Sequence, residues 1–105
     1  MEAVLKALAE PRRLAILKLF RGRELRAGEI ARRFKTTRPA ISQHLRVLTK
    51  AGLLAERRDG TRRLYRVRGE RFAQLRVFLD QFWDDKLERL RAVVEEDKRN
   101  RRGPR

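Results

Sequence analysis

The 105 residues contain no cysteine, one histidine, one tryptophan and one tyrosine. Without thiols the chain can hold neither a disulfide framework nor a thiolate-bound metal. A solitary imidazole, His44, cannot make a transition-metal site by itself. Serine is as scarce, with Ser42 the single copy. Nucleophilic catalysis needs a nucleophile with a base positioned beside it, and Ser42 and His44, two places apart, project to different sides of any helix that contains both. Neither an enzyme nor a cofactor is expected. Long apolar runs are missing too. No stretch approaches the length of a membrane span, and the opening MEAVLKALAEPRR has no apolar signal-peptide core. These absences point to a cytoplasmic protein with no membrane partner.

Positive charge is what the sequence has in abundance. There are 29 Lys and Arg against 14 Asp and Glu, a formal net charge of +15, which suits a polyanionic partner. The charge is unevenly spread. Residues 1–69 hold 19 basic against 6 acidic side chains, residues 70–97 hold 5 against 8, and the last eight positions carry five more basic residues. A uniform bias toward arginine would not leave one long segment acidic, so the cationic character belongs to the first two thirds of the chain. With 41% hydrophobic residues, the length supports one domain with one modest core.

Apolar spacing organises the cationic part into short helices. Val4, Leu5 and Leu8 give a first helix; Pro11 suits the start of a second, with Leu14, Ile16, Leu17 and Phe20 as its apolar positions and Gly22 closing it. RAGEIARRF sets Ala27, Ile30, Ala31 and Phe34 on one side of a helix of about two turns. KTT leaves room only for a tight corner, so Ile30 and Phe34 should pack against Ile41, Leu45 and Leu48 of the stretch TTRPAISQHLRVLTKAGLL. The pair is a helix-turn-helix. Its second helix, residues 37–51, is expected to be capped by Thr37, to tolerate Pro39 in its first turn and to end at a left-handed Gly52. The face away from the apolar stripe carries Pro39, Ser42, Gln43, Arg46 and Lys50. His44 falls toward Ala40, Val47 and Ala51, which predicts a hydrogen-bonded packing role or one phosphate contact.

Next, LLAERRDGTRRLYRVR reads as a hairpin wing, residues 53–68, turning at Asp59-Gly60. Leu53, Leu54, Leu64, Tyr65 and Val67 can anchor it, while Arg57, Arg58, Arg62 and Arg63 gather near its tip. From Glu70, spacings of three and four place Phe72, Leu75, Leu79, Phe82, Trp83, Leu87, Leu90 and Val94 on one stripe of a long helix. At 1.5 Å per residue it runs roughly 40 Å, beyond the ~30 Å breadth of a domain this size. The overhanging stripe needs a cover, and a second copy is the simplest. Leu5, Leu8, Leu79, Phe82, Trp83, Leu87, Leu90 and Val94 are the expected homodimer interface. Residues 1–97 thus form the domain, and residues 98–105 read as a basic disordered tail.

This succession resembles the ArsR family of bacterial winged-helix repressors. LAEPRRLAIL is similar to the family's entry into its second helix, RPAISQHLRVLTKAGLL to its recognition helix and RRDGTRRLYRV to its wing, so the likeness covers nearly the whole chain. It implies a mainly α fold with a small β-hairpin, a winged helix-turn-helix with a long C-terminal dimerisation helix. It also implies a homodimeric transcriptional repressor bound to a palindromic operator in double-stranded DNA. On that reading Arg38, Ser42, Gln43 and Arg46 read bases in the major groove, since Arg pairs with guanine O6/N7, Gln with adenine N6/N7, and a Ser hydroxyl with either. Thr36, Thr37 and Lys50 hold phosphates, and Arg57, Arg58, Arg62 and Arg63 straddle the adjacent backbone or enter the minor groove. Many metal-sensing members carry Cys-x-Cys where this chain has ELRAGEIA; others place His and carboxylates on the last helix, where it has carboxylates alone. No metal regulation is expected, FLDQFWDDKLERL resembles a metal-independent branch, and no motif names an effector. Charge alone also leaves open a nonspecific architectural or RNA-binding protein, against which Ser42 and Gln43, as potential base readers, speak.

Overall fold

Residues 1–101 are described by the computed structural model. Within them the elements follow as α1 (Glu2–Leu8), α2 (Pro11–Lys18), β1 (Leu25–Arg26), α3 (Ala27–Ala31), α4 (Arg38–Lys50), β2 (Leu54–Asp59), β3 (Arg62–Val67) and α5 (Gly69–Arg101). The fold is mainly α, a winged helix-turn-helix with a long last helix. Two compact units are distinguished, Met1–Ala73 and the part from Gln74 onward.

In the first unit the helix ends are built by the expected chemistry. Glu10 caps α2, its carboxylate accepting from the Arg13 backbone N–H at 3.1 Å. Arg13 then closes the α1–α2 corner: its Nε donates to the Ala7 carbonyl at 2.6 Å, near the end of α1, and its Nη2 to that of Lys6 at 3.2 Å, which also accepts from the Ala9 N–H. Its Nη1 lies 3.5 Å from His44 Nδ1. A guanidinium carries only donors, so the ring nitrogen accepts, and His44 takes the packing role its position suggested. Thr37 Oγ1 caps α4 by accepting from the Ala40 N–H at 3.2 Å. At the other end Gly52 has φ of +81°. The Leu53 N–H bonds back to the Leu48 carbonyl and the Gly52 N–H to that of Thr49, both at 3.0 Å, the pairing that closes a helix behind a left-handed residue.

Several details depart from the sequence reading, among them α2, which ends at Lys18 and not at Gly22. The first helix of the helix-turn-helix is shorter than two turns: beyond Ala31 the Arg33 and Phe34 amides bond three residues back, to Ile30 and Ala31, tightening the chain into the corner. Phe34 is half-buried with the Arg12 guanidinium 4.9 Å above its ring. The polar link before α3 also contains a strand, for β1 pairs antiparallel with β3 (Leu25 opposite Tyr65, Arg26 opposite Leu64), giving a three-stranded sheet of order β1-β3-β2. Finally, the hairpin turns one residue later than expected. Asp59 is still in the ladder, opposite Arg62, and the connection is Gly60-Thr61 with Gly60 at φ +65°, a glycine at the first central position of a two-residue turn.

The core joins these elements. Val4, Ile16, Phe20, Ile30, Ile41, Leu45, Leu48 and Leu53 are fully buried, with Leu54 and Tyr65 nearly so. No buried side-chain nitrogen or oxygen among the described residues lacks a partner.

The second unit is the continuation of α5. Phe78 stacks on Phe82 at 6.3 Å, Phe82 meets Trp83 edge-on at 5.6 Å, and Lys86 Nζ lies 5.7 Å from the Phe82 centroid, all pairs at helical neighbour spacing or adjacent. Further along, Trp83, Leu87, Leu90 and Val93 are each more than half exposed. The helix runs through Arg101, so residues 98–101, assigned above to the tail, are helical. Lys98 and Arg99 propagate a helix well and suit the negative end of its dipole. Residues 102–105 of the proposed tail lie outside the described residues.

Candidate nucleic-acid interface

Between α3, α4 and the wing lies an open cleft of about 510 Å³. Arg38, Ser42, Arg46 and Lys50 reach it from successive turns of α4, and Arg62 and Arg63 from β3. The spacing of four residues brings the α4 side chains into one row, while their opposite neighbours Ile41, Leu45 and Leu48 lock the helix into the core. The Arg38 guanidinium lies over the start of α3, where a Cβ built on Gly28 would meet its Nη1 at 3.7 Å.

Sequence reasoning missed part of this lining. Arg26 and Arg32, which flank α3 as its N-cap and C-cap, Thr49 of α4 and Thr61 of the turn also border the cleft. Helical spacing could have found Thr49, three residues beyond Arg46 on α4; Arg26, Arg32 and Thr61 needed the sheet and the ends of α3. Two acidic groups share the cleft, and both are matched. The Glu29 carboxylate accepts from the Arg26 backbone N–H at 3.0 Å and from Arg26 Nε at 3.2 Å; these bonds, the backbone one foremost, hold its pKa below the usual carboxylate range. Glu56 lies 3.4 Å from Arg63 Nε. Arg32, Arg38, Arg46, Lys50 and Arg62 have no ion pair within 4 Å among the described residues, which leaves the cleft electropositive. Tyr65 lies at its floor, its phenol pKa raised by burial first and by the Glu56 charge second. It is a neutral floor at physiological pH.

The remaining candidates are placed elsewhere. Gln43 is exposed on α4 outside the cleft lining, and its Oε1 accepts from Arg46 Nη1 at 3.2 Å, linking two of the proposed base readers. Thr36 and Thr37 are exposed at the head of α4, with the Thr37 hydroxyl oxygen engaged as the cap. The wing arginines divide. Arg57 is held by Glu24 in a two-pronged pair, Nε to Oε2 at 2.7 Å and Nη2 to Oε1 at 2.9 Å, a strap from the residue before β1 across the sheet to β2. Arg63 is shared with Glu56, whereas Arg58 and Arg62 carry no ion pair within 4 Å among the described residues.

Residues 10–56 match the family described as bacterial regulatory protein, arsR family. The HTH-type transcriptional regulator Rv2034 of Mycobacterium tuberculosis is 45% identical over 78 residues, 74% of this chain and 73% of that protein. The chain belongs to the arsR family of bacterial regulatory proteins. The transcriptional repressor SdpR of Bacillus subtilis is 40% identical over 60 residues, 57% of this chain and 67% of its own. The solution structure of a homodimeric winged helix-turn-helix DNA-binding domain, Mb0332 from Mycobacterium bovis, superposes with a TM-score of 0.64 at 37% identity, covering 80% of this chain and 78% of that one.

Proposed function

We propose that this arsR-family member, a DNA-binding transcriptional regulator, acts as a homodimeric repressor on a palindromic operator, with α4 in the major groove and the wing on the adjacent backbone. The observation that carries this is the row Arg38, Ser42, Arg46 and Lys50 in an electropositive cleft whose only acidic lining residues, among those described, are already paired. Arg38, Ser42, Gln43 and Arg46 are the proposed base readers. Thr36, Thr37, Lys50, Arg58, Arg62 and Arg63 are the proposed phosphate contacts. Arg57 contacts DNA only by leaving Glu24. The repressor SdpR and the homodimeric Mb0332 domain support the direction of regulation and the pairing of two copies. An enzymatic role is not part of this reading, and neither is a metal effector.

The test is a comparison of duplexes. Gln43→Ala or Arg38→Ala should weaken binding to an operator selected from random DNA by about 1–3 kcal/mol, the value of a bidentate base contact, with a much smaller effect on random duplex. Equal losses on both would make these residues phosphate clamps and favour the nonspecific reading. Recovery of no palindrome from the selection would count against a symmetric dimer on DNA.

A further inference from the structure

A second basic hollow, about 290 Å³, lies at the α2–β1 corner and shares Glu29 with the lining of the α4 cleft. Lys18, Arg21, Arg23 and Arg33 line it, with Glu29 as its one acidic group. None of the four cations has an ion pair within 4 Å among the described residues. Glu29 is the residue common to the two linings, and its carboxylate is occupied by Arg26. The positive surface therefore passes from one hollow to the other without an uncompensated negative charge between them.

Arg21 adds an independent observation. Its φ is +47°, and Gly22 beside it is at +78°. The left-handed region is disfavoured for any residue with a Cβ and is normally given to glycine or asparagine. Arginine thus occupies a backbone position that glycine would fill with less strain, and it adds a positive charge to the hollow there.

We infer that the α2–β1 corner is a second DNA-backbone site: duplex flanking the operator passes over it and its phosphates are held by Lys18, Arg21, Arg23 and Arg33. The inference rests on the regulator reading above and extends its footprint. Four cations without an ion pair within 4 Å, around a concavity whose apolar lining is the half-buried Leu19 and the buried Leu25, fit a regular array of phosphates. An acidic protein segment is the competing occupant.

The experiment uses two duplexes carrying the same selected palindrome, one trimmed to the site and one extended by about one helical turn, ~10 bp, on each side. The slope of log K against log salt should be steeper on the long duplex, by about 0.9 for each added phosphate contact. Arg21→Gly combined with Arg23→Ala and Arg33→Ala should bring the long-duplex slope down to the short-duplex value and leave the short duplex unchanged. Arg21→Gly alone should lower the long-duplex slope without lowering the melting temperature, so lost binding cannot be lost folding. Equal wild-type slopes on both lengths, or an equal fall on both in the triple variant, overturn the inference while leaving the regulator reading intact. Retention of a polyglutamate peptide by the wild type and not by the variant, with DNA slopes unchanged, assigns the corner to an acidic protein and overturns it as well. Absence of any palindrome preference on the short duplex overturns the regulator reading, and this inference with it.

Discussion

Arg57 and Arg58 are neighbours of the same type near the same hairpin tip, yet they stand in different electrical situations. Glu24 grips Arg57 with both carboxylate oxygens, whereas Arg58 has no ion pair within 4 Å among the described residues. Nothing in the sequence separates them, because Glu24 is 33 positions from Arg57 and only the pairing of β1, β3 and β2 brings them together. Glu24→Gln should therefore do the opposite of an arginine deletion. It releases Arg57 toward the DNA and steepens the salt slope of binding, by about 0.9 if one phosphate is gained. A slope that stays at the wild-type value places Arg57 off the backbone even when free. The strap also predicts a pH effect. The hydrogen bond from Arg57 lowers the Glu24 pKa, so its contribution to stability is present above the unfolded-state pKa and is lost as pH falls through the folded one. Acid titration of the unfolding midpoint should be flatter in Glu24→Gln than in the wild type. The contribution is small because both groups are solvent-exposed.

The elements differ in how clearly the sequence announces them. Helix α4 was legible to the residue: a capping threonine, a proline where its missing N–H does no harm, an apolar stripe and a terminal glycine all agree, and the structure places each as expected. Strand β1 was not, since two residues are too few to show alternation and Leu25 looks like a stray apolar residue until Tyr65 lies opposite it. The hairpin lies between these cases. Its existence followed from Asp59-Gly60, but the ladder takes Asp59 and leaves Gly60-Thr61 as the turn, because a lone glycine can serve either of two registers. The wing gives its own prediction. Arg57 is held by Glu24 and Arg63 is shared with Glu56, so Arg58 and Arg62 are the proposed wing contacts that need no ion pair broken. Replacing both by alanine should lower the salt slope by up to about 1.8, at 0.9 per contact, with the ratio of operator to random binding little changed. An unaltered slope would show the tip to be merely solvated.

For the whole molecule, the readable signal was segregation: a cationic first part with the cleft, then an acidic stretch with an uncovered apolar stripe. Exposure of Phe82, Trp83, Leu87, Leu90 and Val94 at 43%, 54%, 54%, 58% and 44% fits the interface proposed from spacing. Val93, at 62%, joins the same side, and Leu8 and Leu79 are half-buried already. Val77 is exposed off that line, which spacing alone would not have flagged. At about 25 cal/mol per Å² of apolar surface, covering this stripe is worth several kcal/mol per copy. Leu87→Glu with Leu90→Glu should give a monomer by sedimentation equilibrium, with the first unit still folded and operator affinity sharply reduced. Full affinity of a monomer for a single half-site would sink the pairing proposal.

Assigning base reading to α4 and pairing to α5, as proposed, also has a genetic consequence. A copy damaged only in Arg38, Ser42 or Gln43 keeps everything needed to pair with an intact copy, and each mixed pair it forms has one blind half. Such alleles should be dominant: expressed beside the wild type in equal amounts, they leave about a quarter of pairs competent by random assortment. An allele damaged in Leu87 and Leu90 cannot enlist the wild type at all, and should be recessive.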